Sequence, residues 1–200
     1  MGSDGRTWVL AVVAAAALGC TGERAPAAEA AESAAAASVG GEAGEAPAME
    51  LSDAEIAAVV VTANAIDVRH GELARARASD ARVRQFGETM VRDHNAVNAS
   101  AAALVERLGV MPEENDVSRS LQAAADASHA ELSAKADAEF DAAYIDHEVA
   151  YHRQVLAALD DLLIPNATNA ELRETLVSVR PAFEAHLRQA ESLKQLLAES

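Results

Sequence analysis

Four stretches of this chain repeat one apolar spacing, and that spacing limits the fold more than any other feature. The first runs Ile56, Val59, Ala63, Ile66, His70, Leu73. The second runs Val83, Phe86, Met90, His94, Val97, Ala101, Leu104, Leu108. The third is Ile145, Val149, His152, Leu156, Leu159, Leu163, and the fourth is Leu172, Leu176, Val179, Phe183, His186, Ala190, Leu193, Leu197. Steps near three and four residues place each set on one face of a helix, so each stretch has a seam that must be buried. Each seam carries one histidine. Aromatic residues are only 3% of the chain, and much of its hydrophobic half is alanine. That composition suits closely packed helices better than a β-sandwich.

Helix signals divide the region from residue 51 to residue 200. Ser52-Asp53-Ala54-Glu55 is a capping-box pattern that starts a helix running to about Ala78. Ser79 and Asp80 make a short turn. The second helix then runs to about Leu108 and stops at Gly109, which makes an antiparallel hairpin. Val117 to about Lys135 predicts a short, weakly apolar crossover helix. A third long helix should run from Asp137 to near Leu163, ahead of Pro165. Thr168-Asn169-Ala170-Glu171 reads as a second capping box, for a last helix that ends near Ala198 and contains Pro181. Two tight hairpins joined by one long crossover predict an all-α, ferritin-like antiparallel four-helix bundle, with the crossover helix between helices two and three.

The N-terminal part has another character. Residues 1–19 read as a signal peptide: Arg6, then an apolar run from Trp8 to Leu18 that is too short to span a bilayer. Ala17-Leu18-Gly19-Cys20 resembles a bacterial lipobox, with alanine where leucine is usual. Cys20 is therefore the expected lipid-attachment site, and the membrane, reached through that lipid, is the expected partner. An ordinary secretory signal with an incidental cysteine is the other reading. Thr21, rather than aspartate, after the cysteine points to the outer membrane, facing the periplasm. Residues 20–50 hold six glutamates against Arg24 alone, with no aromatic residue, and read as a disordered acidic tether. The net charge of −16, without clusters of Lys and Arg, excludes a nucleic-acid footprint. Which protein partner it has, the sequence leaves open.

The chemistry rests on the histidines. Counting from the first turn, Asp67 and His94 are level within about 3 Å, while His70 is offset from His94 by about 7 Å. With the second turn centred near Pro165 and Asn166, His152 and His186 differ in depth by roughly 10 Å. A bundle-core di-iron centre needs Glu-x-x-His on two helices. Asp67-Val68-Arg69-His70 is a shortened version, Asp126-Ala127-Ser128-His129 repeats it on the crossover helix, and Glu148 and Glu184 lack such partners. A mononuclear site from His94, His152 and His186, with Asp67 as ligand or acceptor, remains open, as does a packing role for all of them. Imidazole suits one Zn, Cu, Fe or Ni ion. His147-Glu148-x-x-x-His152 is one residue longer than a zinc-protease motif. A spacing of five turns the two rings about 140° apart, so they cannot share an ion. No nucleophile elbow or phosphate loop is present.

Phe86-Gly87-Glu88-Thr89-Met90-Val91-Arg92-Asp93-His94, Phe140 to Ile145 with Val149 and His152, and Pro181-Ala182-Phe183-Glu184-Ala185-His186 resemble the bacterial family named domain of unknown function 4142. Asp67 and Gly71-Glu72-Leu73-Ala74 extend the likeness, with aspartate where that family usually has glutamate. The resemblance implies a ferritin-like four-helix bundle in periplasmic or outer-membrane proteins, with His94, His152 and His186 as its recurring histidines and His70 outside the pattern. It implies no established activity. Three functions follow as expectations: a non-enzymatic, lipid-anchored metal-binding module; a structural or interaction protein of the envelope; and a metal-dependent redox enzyme.

Overall fold

The computed structural model describes residues 49–199. The predicted signal peptide, Cys20 and all but the end of the predicted tether lie outside the described residues. Every regular element among the described residues is helical. In order these are α1 (Asp53–Arg77), α2 (Ala81–Leu108), α3 (Asp116–Ala134), α4 (Asp137–Ala158), a π-helical turn (Leu159–Leu163), α5 (Ile164–Asn166) and α6 (Ala170–Ala198). None of these helices is long and apolar enough to cross a membrane.

Local chemistry sets the boundaries. The Ser52 hydroxyl accepts from the Glu55 N–H while the Glu55 carboxylate accepts from the Ser52 N–H, so the first capping box forms. Asp80 caps α2 by accepting from the Arg82 N–H at 2.7 Å. Gly109 ends α2 at φ 65°, a left-handed conformation that glycine adopts without steric cost. The second capping box does not form. Asn169 alone caps α6, accepting from the N–H groups of Glu171 and Leu172. The Thr168 hydroxyl instead donates to Asp53 at 2.6 Å and so ties the α5–α6 turn to the start of α1.

Packing follows the seams. α1 lies along α2 and α3 and touches α4, α4 lies along α6, and α2 closes against α6. At the α1–α2 contact the backbones approach so closely that a Cβ on Gly71 would lie 2.8 Å from the Gly87 carbonyl oxygen. A Cβ on Gly87 would meet the Gly71 carbonyl at the same distance. Arg77 donates to the carbonyls of Leu132, Ser133 and Lys135, holding the C-terminus of α3, and its guanidinium lies 4.8 Å from the Phe140 ring centre.

The core has two main apolar clusters. One contains Val83, Phe86, Met90, Phe140, Tyr144 and Ile145; the other contains Ile56, Val59, Leu104, Leu163, Leu176 and Phe183. The buried polar residues Asn64, Asp67, His94, His152 and His186 fall between these clusters along their helices, and Glu148 lies at the edge of the first. This polar layer is costly to bury and invites a functional explanation.

The roughly 10 Å depth offset expected between His152 and His186 is not found: their ring centres are 5.5 Å apart. The expectation placed the turn at Pro165. Helical backbone instead continues through Pro165 to Asn166, because the wider π turn, closed by the Ile164 N–H on the Leu159 carbonyl, precedes the proline. The turn moves to about Thr168, which lies nearly midway between the two histidines in sequence.

Candidate metal centre

Three imidazoles from three helices meet in the polar layer. His94 comes from α2, His152 from α4 and His186 from α6. Ring centres are 5.8 Å apart for His94 and His152, 5.3 Å for His94 and His186, and 5.5 Å for His152 and His186. One nitrogen from each ring falls within a common 4.8 Å. Phe183 closes the group, its ring centre 5.1 Å from that of His94.

Each ring has one nitrogen engaged and one unpartnered. His94 Nδ1 lies 2.8 Å from Asn64 Oδ1, His152 Nδ1 lies 3.0 Å from the Glu148 main-chain oxygen, and His186 Nε2 lies 3.0 Å from Asp93 Oδ2. All three partners can only accept, so these nitrogens carry the protons. The opposite nitrogens, His94 Nε2, His152 Nε2 and His186 Nδ1, are buried and have no hydrogen-bond partner. Neutral imidazoles with one nitrogen held by an acceptor and the other free are the usual preparation for metal ligation. Burial keeps them neutral. It pushes His94 down to about 3, assisted by His152 and His186, and His152 down to about 4. His186 is lowered less, because burial there works against the favourable charge of Asp93.

Asp67 and Glu148 lie beside this group. Asp67 Oδ2 approaches His94 Nδ1 at 3.4 Å, and Glu148 Oε2 approaches His152 Nδ1 at 3.5 Å. Both side chains are buried, and no hydrogen bond reaches any of their four oxygens. Burial raises Asp67 well above the usual carboxylate range, with Glu148 adding to the effect. Burial pushes Glu148 up to about 8, opposed by the Tyr144 hydroxyl. Two fully buried carboxyl groups beside each other retain protons unless a cation is nearby.

The structure thus brings together His94, His152 and His186 and sets Asp67 against His94. Asn64, rather than Asp67, makes the hydrogen bond to His94, and Asp93 makes the one to His186. Sequence reasoning missed both. The available signal for Asn64 was a polar residue beside the α1 seam, one turn before Asp67. Asp93 directly precedes His94, and nothing in the spacing tied it to α6. Glu184 is turned to Arg180 at 2.5 Å and takes no part in the site. His70 belongs to a different group. His70 Nδ1 lies 3.0 Å from His147 Nε2, and the His129 ring stacks on His70 at 5.6 Å.

A family model described as a domain of unknown function, DUF4142, matches residues 38–193. No curated protein and no solved structure matches the chain.

Proposed function

The chain belongs to the DUF4142 family, and we propose that it holds one transition-metal ion between His94, His152 and His186. The observation that carries this reading is the set of three buried, unpartnered ring nitrogens, each opposite a nitrogen fixed by an acceptor. If the rings served packing alone, each would leave a buried acceptor unsatisfied, at about 1–3 kcal/mol apiece. One divalent ion removes all three penalties and offsets the charge of Asp67 and Glu148 when these lose their protons. A tri-imidazole set suits zinc, copper, iron or nickel, and it leaves a coordination position open on a four-coordinate ion. The bound ion would supply Lewis acidity there. The chain's own contribution is to fix the tautomers and exclude water, with Phe183 beside the rings.

In this reading α1, α2, α4 and α6 form a ferritin-like antiparallel four-helix bundle, and α3 is the crossover. The protein is a binding module of the bacterial envelope, acylated at Cys20 and held at the outer membrane through the acidic segment of residues 20–50. The lipobox-like Ala17-Leu18-Gly19-Cys20 supports the anchor. Labelling with a radioactive fatty acid that disappears in Cys20→Ala tests it, and an unlabelled protein would contradict it.

Metal analysis after equilibrium dialysis of the full chain against Zn²⁺, and separately Cu²⁺, tests the ion. A bound ion should be lost in His94→Ala. An unchanged metal content in that variant, or no metal in the parent chain, would leave the histidines as core packing.

A further inference from the structure

The other histidines form a second group that the proposed centre does not use. Glu148 falls between the two groups in the chain of α4. A separation of five residues turns His147 and His152 about 140° apart on that helix, so the two rings face different neighbours. His152 faces α2 and α6. His147 faces His70 of α1, and the His70 ring in turn meets Ser128 and His129 of α3.

The tautomer of His70 can be read from its surroundings. Ser128 Oγ spends its proton on the Ala125 carbonyl at 3.1 Å. It can therefore only accept from His70 Nε2, which lies 3.5 Å away. The Nδ1 lone pair of His70 then points at His147 Nε2, 3.0 Å distant. Two nitrogens on one tetrahedral zinc ion, at bond lengths of about 2.0–2.1 Å, lie about 3.4 Å apart, so the pair becomes a chelate once the rings open slightly and the proton on His147 Nε2 moves to Nδ1. The third donor is the Glu148 carboxylate. One of its oxygens and one nitrogen from each of His70 and His147 lie within 4.8 Å of one another. That carboxylate is fully buried and both of its oxygens lack a hydrogen bond. It is not needed to orient His152, because the Glu148 main-chain oxygen already does so.

We infer that His70, His147 and Glu148 form a second binding site, for a divalent transition-metal ion, separate from the histidine triad. Two imidazoles and a carboxylate suit zinc or a similar divalent ion, and they would leave a further coordination position on a four-coordinate ion. The half-buried His147 and His129 place this second site nearer solvent than the first. Both imidazoles are neutral and available at neutral pH: burial holds His147 at about 4, and burial with the neighbouring His147 and His129 holds His70 at about 3.

The test is zinc stoichiometry on the full chain, stripped of metal and dialysed against Zn²⁺, with metal measured by mass spectrometry and folding checked by circular dichroism. The chain should bind two ions. His147→Gln, a change at a half-buried position, should bind one, and His94→Gln should also bind one. A folded His147→Gln variant that keeps the full zinc content of the parent overturns the second site and leaves the triad standing. A loss of zinc in His147→Gln, with none in His94→Gln, supports the second site and overturns the triad. If His147→Gln fails to fold, His70→Gln read in the same way replaces it.

Discussion

Two groups of three imidazoles meet α4 on different faces, and they differ in what holds their second nitrogens. In the inner group, His94, His152 and His186 are each fixed by a separate acceptor: an amide oxygen, a main-chain carbonyl and a carboxylate. In the outer group, His70 and His147 satisfy each other, and His129 stacks on His70 without joining the contact. The inner group therefore has lone pairs with nothing to accept, and the outer group has a hydrogen bond that a metal must replace. Preorganisation of this kind should give the inner group the tighter binding.

The largest expected effect breaks the inner group outright. His152→Ala should abolish zinc binding there and, because the ring is fully buried, destabilise the metal-free chain by about 2–4 kcal/mol. Calorimetric titration and urea unfolding check the two parts separately. The acceptors should matter without being ligands. Asp93→Asn removes the carboxylate that holds His186 Nε2 and should weaken zinc binding by about 10–100-fold. No comparable loss is expected from Ser128→Ala at the inner group, and competition titrations would show the contrast.

Geometry can be perturbed without touching either group. Gly71→Ala places a Cβ against the Gly87 carbonyl, forces α1 away from α2, and should cost about 1–3 kcal/mol in unfolding experiments. Because α1 carries Asn64 and α2 carries His94, zinc affinity should fall in the same variant.

The pH dependence of the metal-free chain separates the imidazoles from the carboxylates. His70, His94, His147 and His152 have folded values of about 3 to 4, below the ordinary 6.5. Their contribution is present above 6.5 and is lost as pH falls through those values. Glu148 is raised from 4.5 to about 8, so its contribution is full below 4.5 and is lost as pH rises through 8. Melting temperature should therefore peak near pH 6.5 and decline on both sides. Zinc favours the carboxylate anions and should flatten the alkaline limb, which melting curves from pH 5 to 9 would reveal.

The helices were legible because their determinants are local. Seams, the caps at Ser52 and Asp80, and Gly109 state their meaning within a turn of chain. The level of His186 against His152 was not legible. It depends on a π turn at Leu159–Leu163 that carries helical backbone through Pro165, and the apolar spacing across that turn looks like ordinary helix. The outer group was hidden for another reason. His147 lies off the seam that faces α2 and α6, but α3 packs on α1 and makes a second buried face there, where Ile66, Ala125 and Tyr151 cluster. The zinc-protease likeness around His147 failed on spacing, and the same spacing distributes its two histidines between the two groups. Asn64 and Asp93 act through hydrogen bonds to residues 30 and 93 positions away, which no local pattern encodes.

Nitrogen NMR of the metal-free chain, labelled at histidine, tests the inner group most directly. Neutral rings with the proton on Nδ1 in His94 and His152, but on Nε2 in His186, are predicted. On adding Zn²⁺, the three bare nitrogens should shift while the protonated ones keep their protons. The opposite tautomers, or bare nitrogens that do not respond to zinc, would contradict a metal centre at His94, His152 and His186.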